Sequence, residues 1–193
     1  MINRRDFIRL GGAFGLVAAV PWKWPFAAVQ PARGFSGLEA FADTRYAQGR
    51  AFAAAARAQS MVVCPVGVDP TAAVTRLAPY ARECPTRIVG LTTLAAAVLL
   101  EAAAADIRMR IRYRGLHGYG ADGVMRHELE GDHDLVRIVG DDLAAARNPW
   151  AVVLAMRVER LLSSGEAVAS RVVQAPAPPS DRMPLPLVSW VIG

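Results

Sequence analysis

Six polar residues stand directly after apolar runs of this chain: Asp43, Arg45, Asp69, Thr92, Thr93 and His117. Their types suit acid–base and anion chemistry. A carboxylate at position 43 or 69 can orient or deprotonate a substrate, and an imidazole at 117 can carry a proton near neutral pH. Arg45 can hold an anion, and threonines at a helix start leave backbone N–H groups free for one. The bland reading is also open. Asp69, Thr92 and Thr93 are what helix N-caps require, and Asp43 with Arg45 can be a simple surface pair.

These residues can meet only if the elements before them run the same way. "LEAFAD", "MVVCPVG" and "RIVGL" read as short strands, and "IRMRIRYR" as a strand by strict alternation. Between them, "YAQGRAFAAAARAQ", "DPTAAVTRLAPYARE" and "TTLAAAVLLEAAAAD" read as helices, the second opened by Asp69 as N-cap and Pro70 at the first helical position. Strand alternating with helix predicts an α/β domain with a mainly parallel βαβ-type sheet flanked by helices. Val62, Val63, Ile88, Val89 and Ile111 are the expected core. In such a sheet, ligands bind beyond the carboxyl ends of the strands, so the six residues would line one edge.

The second half is less regular. "GLHGYGADG" must be a loop, "VMRHELEG" and "DLVRIVG" suggest a hairpin or further strands, and Asn148-Pro149 restarts a helix. The tail "QAPAPPSDRMPLPLVSWVI" reads as an extended proline-rich arm with a strand-like end. The expected organisation is an export segment over 1–34, an α/β domain over 35–170 and the arm over 171–193.

Arg108, Arg110, Arg112 and Arg114 project to one face of the alternating strand, opposite Met109, Ile111 and Tyr113. Four guanidinium groups are not buried without carboxylates, so this face is solvated, internally paired or covered by an anionic partner. "RHELEGDHD" gathers His127 and His133 among acidic residues, but its spacing matches no zinc pattern, and no metal is expected. Cys64 and Cys84 could pair in an oxidising compartment, provided their Cα atoms come within about 7 Å. The chain has no GxSxG and no phosphate loop, and its sequence names no cofactor.

The formal net charge of +5 does not indicate nucleic acid. Residues 1–34 hold five basic groups against one acidic, leaving 17 basic and 16 acidic groups in the remainder. The only lysine is Lys23, which removes Schiff-base and Walker-lysine chemistry from the body of the protein.

Half of the excess in residues 1–34 sits in "NRRDFIRLGGAFGLVAAV", where Arg4, Arg5 and Phe7 precede an apolar run too short for a comfortable membrane span of about 20 residues. This stretch resembles the twin-arginine signal, Ser/Thr-Arg-Arg-x-Phe-Leu-Lys, departing from it at Asn3, Ile8 and Arg9. The resemblance implies recognition by the twin-arginine translocation machinery and export to the periplasm in a folded state. Trp22, Trp24 and Phe26 around Lys23 would suit an interfacial membrane anchor. Two functions fit these features. One is a non-catalytic accessory subunit or escort of a larger periplasmic redox enzyme, presenting the arginine face and the arm. The other is a small periplasmic enzyme or ligand-binding protein that uses the strand-end cluster.

Overall fold

The strands that begin the domain are short apolar runs, closed by the turn at Asp43, by Pro65 and by the helix start at Thr93. They are β1 (Glu39–Ala42), β2 (Val62–Pro65) and β3 (Ile88–Thr93), separated by helices α1 (Ala47–Ala58) and α2 (Thr71–Leu77). The computed structural model describes residues 38–77, 87–120, 122–146, 150–157, 168–175 and 185–193. The remaining elements are α3 (Leu94–Asp106), β4 (Ile111–Tyr119), β5 (Met125–Asp132), α4 (His133–Ala145), α5 (Trp150–Arg157), β6 (Val168–Ala175) and β7 (Leu187–Ile192). The export segment over 1–34 lies outside the described residues. No described helix is long and apolar enough to cross a membrane.

All seven described strands form one sheet in the order β2-β1-β3-β7-β4-β5-β6. The fold is α/β, as the alternation predicts, but the sheet is mixed rather than mainly parallel. Only β1 pairs in parallel, with β2 and β3, whereas β3–β7, β7–β4, β4–β5 and β5–β6 are antiparallel. The reason lies in the connections. Parallel neighbours need a crossover element, while the tight loop after β4 returns the chain at once as a hairpin. The expected parallel neighbours β3 and β4 do run the same way, but β7 is wedged between them.

That wedge comes from the segment the composition suggests is a proline-rich arm. All six residues of β7 are buried. Trp190 lies opposite Gly90, where an added Cβ would fall 2.2 Å from the indole, and its Nε1 donates to Thr92 Oγ1 at 3.1 Å. Glycine at 90 is therefore what lets a tryptophan lie over β3. Strand β6 likewise begins inside the expected domain and ends inside the expected arm, and both strands complete the sheet.

Side chains alternate to two cores. One holds Val89, Leu91, Leu129, Val173 and Val191 under α1, α4 and α5; the other holds Phe41, Ile88, Val188, Trp190 and Ile192 under α2 and α3. Of the expected core residues, Ile88 and Val89 are sealed and Val63 packs at the edge of the first core. Val62, on the edge strand β2, is 52% exposed, and Ile111 is 39% exposed. Ile111 fails because the register against β7 shifts between Ile111 and Tyr113, a bulge at Arg112 that breaks the alternation. "DLVRIVG" is not a strand but part of α4, whose Leu135, Val136, Val139 and Leu143 recur at helical spacing on the buried face.

Candidate functional site

Asp43 and Asp69 are engaged locally. The buried Asp43 carboxylate accepts from Arg45 Nε at 2.9 Å and Nη2 at 2.6 Å, so the two residues read as a site form a fork-like ion pair. Asp69 is exposed and accepts from the Thr71 N–H at 2.9 Å and its hydroxyl at 2.5 Å, which holds its carboxyl below the usual range. Thr92 is spent on Trp190, and Thr93 is the N-cap of α3 without a side-chain capping bond. Their strands end on the same side of the sheet as β4. The side chain of Thr92 nevertheless joins the α2–α3 layer, while His117 points into the other layer.

The four arginines also separate. Arg108 has φ of 61° in the turn after α3, and Arg110 exchanges backbone hydrogen bonds with Gly193 before β4 begins. Arg112 pairs with Asp132 at 2.9 Å, and Arg114 pairs with Glu101 of α3. Arg108 and Arg110 are exposed. An uninterrupted alternating face over all four is therefore replaced by two ion pairs and a basic turn.

What the sheet does assemble is a polar chain around His117. On β4, Tyr113, Gly115 and His117 project to the α1–α4–α5 side; His127 of β5 lies opposite His117, and Ser189 of β7 lies opposite Gly115. His117 Nε2 is 2.6 Å from Ser189 Oγ, and its Nδ1 is 2.8 Å from His127 Nδ1. Ser189 Oγ is 3.4 Å from the Tyr113 hydroxyl. A Cβ on residue 115 would fall 2.6 Å from Ser189 Oγ, 2.7 Å from the Tyr113 hydroxyl and 3.0 Å from His117 Cε1, so only glycine lets the three converge. Trp150, the first residue of α5, covers both imidazoles at centroid distances of 4.5 and 5.3 Å.

Burial sets the protonation of this chain. It holds His117 well below the ordinary imidazole range, with His127 adding to the effect, and it lowers His127 to about 4. Burial also raises the Tyr113 phenol, partly offset by Ser189, so the hydroxyl stays protonated. Two neutral imidazoles joined through their Nδ1 atoms share one hydrogen. If His117 donates, its Nε2 accepts from the Ser189 hydroxyl. If His127 donates, His117 Nε2–H points at Ser189, which then donates to Tyr113. In both settings His127 Nε2 is buried without a hydrogen-bond partner among the described residues.

A second buried polar group sits in the other layer. Glu39 Oε1 accepts from Arg76 Nε and from the Cys64 thiol, each at 2.6 Å. Burial, reinforced by Glu39, pushes that thiol up to about 12. Cys64 is free and is no thiolate nucleophile; Cys84 lies outside the described residues. Among the described residues no three His, Cys, Asp or Glu side chains are grouped to hold a metal ion.

His127, Ser189 and Tyr113 were not legible as partners of His117 from local pattern alone. One cue existed: positions 117 and 127 are equidistant from Asp122 in the glycine-rich loop, so a hairpin closed there must pair them. Ser189 had no such cue. The chain matches no family model, no curated protein and no solved structure.

Proposed function

We propose that this protein is an exported accessory subunit that docks on a larger periplasmic redox protein and contributes contact rather than a redox step. The observation that carries the reading is α3. Its sequence, LAAAVLLEAAAAD, is apolar almost all the way round, a composition that belongs to a helix buried on every side. Yet it covers the sheet with only Ala96, Ala97, Leu100 and Ala104, and leaves Leu94, Val98 and Leu99 39%, 52% and 49% exposed. An apolar stripe of this kind marks a contact surface. The exposed Arg108 and Arg110 follow its C-terminal end, so the complementary partner surface is apolar and bordered by carboxylates. The redox character of the partner rests on the twin-arginine resemblance, since that route carries folded proteins.

Replacing Val98 and Leu99 together by Asp is expected to abolish stoichiometric co-purification of the partner from periplasmic extracts. The melting temperature should hardly move, because exposed substitutions of this kind stay within about 0.5 kcal/mol. A wild-type protein that elutes from the extract as a lone monomer would remove the reading, as would a double variant that keeps its partner. Export is tested separately. Exchanging Arg4 and Arg5 for Lys keeps the charge but loses the guanidinium geometry, and should strand the protein in the cytoplasm. Equal periplasmic yield from a strain lacking the twin-arginine machinery would contradict this.

A further inference from the structure

We infer that Ser189, His117, His127 and Tyr113 form an acyl-transfer centre acting on small acyl esters, a function beyond docking and on the opposite side of the sheet from α3. The argument is positional. Nucleophilic catalysis by serine needs a hydroxyl against one nitrogen of an imidazole, and a third group fixing the other nitrogen. Ser189 Oγ stands 2.6 Å from His117 Nε2, and His127 Nδ1 stands 2.8 Å from His117 Nδ1, which supplies both relations on one ring. A donor for the developing oxyanion is the Tyr113 hydroxyl, 3.4 Å from Ser189 Oγ. The centre is built from three strands, β4, β5 and β7, which hold it more rigidly than loops would.

The setting in which His117 Nδ1–H donates to His127 is the productive one, because it leaves Nε2 free to receive a proton. Ser189 Oγ then attacks the ester carbonyl carbon as its hydrogen passes to His117 Nε2, and Tyr113 O–H donates to the oxyanion. Collapse breaks the bond to the alcohol oxygen, which takes the proton from His117 and leaves as the free alcohol. Water repeats the sequence on the acyl-serine, releasing the carboxylic acid and restoring the Ser189 hydroxyl. No oxidant or further reactant is needed. Ser189 keeps 3% of its surface and Trp150, which covers His117, keeps 7%, so the inference requires a small ester and a displacement of Trp150 from His117.

The test uses the full chain with a small organophosphate, diisopropyl fluorophosphate. The Ser189 oxygen displaces fluoride and forms an O–P bond, while its hydrogen goes to His117. Intact mass is expected to rise by one phosphoryl adduct, mapped to Ser189 by peptide sequencing and absent from Ser189→Ala. His127→Gln should slow labelling by roughly 10²–10⁴-fold. It should also slow hydrolysis of p-nitrophenyl acetate to a similar degree. If Ser189→Ala does not fold, the mapped adduct on the wild-type chain decides. A wild-type protein that melts cooperatively but takes no label, takes it at another residue, or labels at the same rate as His127→Gln overturns the inference.

Discussion

Deleting residues 187–193 is expected to leave no folded protein, seen as loss of the cooperative thermal transition and of a compact elution volume. Among the described residues, strand β7 is the only strand joining the β2-β1-β3 half of the sheet to the β4-β5-β6 half. Its removal strips the hydrogen-bonding edges of both β3 and β4 at once. It also withdraws five buried apolar side chains, Leu187, Val188, Trp190, Val191 and Ile192. At about 1.5–3 kcal/mol for each, the lost burial alone is on the order of 10 kcal/mol. A domain has only about 5–15 kcal/mol in total. Trp190→Ala tests the same point more gently: it should cost roughly 3–5 kcal/mol in urea titration. A deletion variant that still melts cooperatively would contradict the topology.

Acid should destabilise the protein well before carboxylates titrate. His117 and His127 are buried neutral, so the folded state resists protons that the unfolded chain accepts below about 6.5. Stability is therefore fully present above pH 6.5 and falls as the pH drops toward the folded value of His127, about 4. Each histidine contributes a slope of about 1.4 kcal/mol per pH unit within that window. Urea midpoints measured at pH 7 and pH 5 should differ accordingly. His127→Gln should lose about half of the difference, because it removes one of the two titrating groups. A midpoint independent of pH between 5 and 7 would show that the pair is not neutral in the folded state.

The parallel half of the fold was legible because its signals are local. Asp69 before Pro70 opens α2, and the alanine-rich runs between short apolar runs mark α1 and α3. The failures follow from non-local or compressed information. Nothing in "LPLVSWVI" says that it belongs between β3 and β4, since its partners are Ile88–Thr93 and Ile111–His117, far back in the chain. "DLVRIVG" is too short a window to show the helical spacing that continues to Leu143. The arginine strand looked longer than it is because Arg108 and Met109 belong to a turn and Arg112 to a bulge, and neither event leaves a mark on alternation. At the site, the partners of His117 come from a hairpin and a distant strand, which no local pattern marks, whereas Asp43 and Asp69 stand out locally but are held by Arg45 and Thr71.

The position of β7 also bears on how the chain reaches its folded state. Strand β3 is complete about a hundred residues before the strand that pairs with it, so these contacts are of high order and slow to form. At a synthesis rate of about 5–20 residues per second, β3 waits on the order of 5–20 s with an open hydrogen-bonding edge. Strand β4 waits about three quarters as long on its own side. Two apolar edges held open in the same nascent chain favour pairing with other chains, so overexpression at high temperature should yield inclusion bodies in preference to folded protein. Slower synthesis in the cold, or a holding chaperone, shifts that competition toward closure of the sheet.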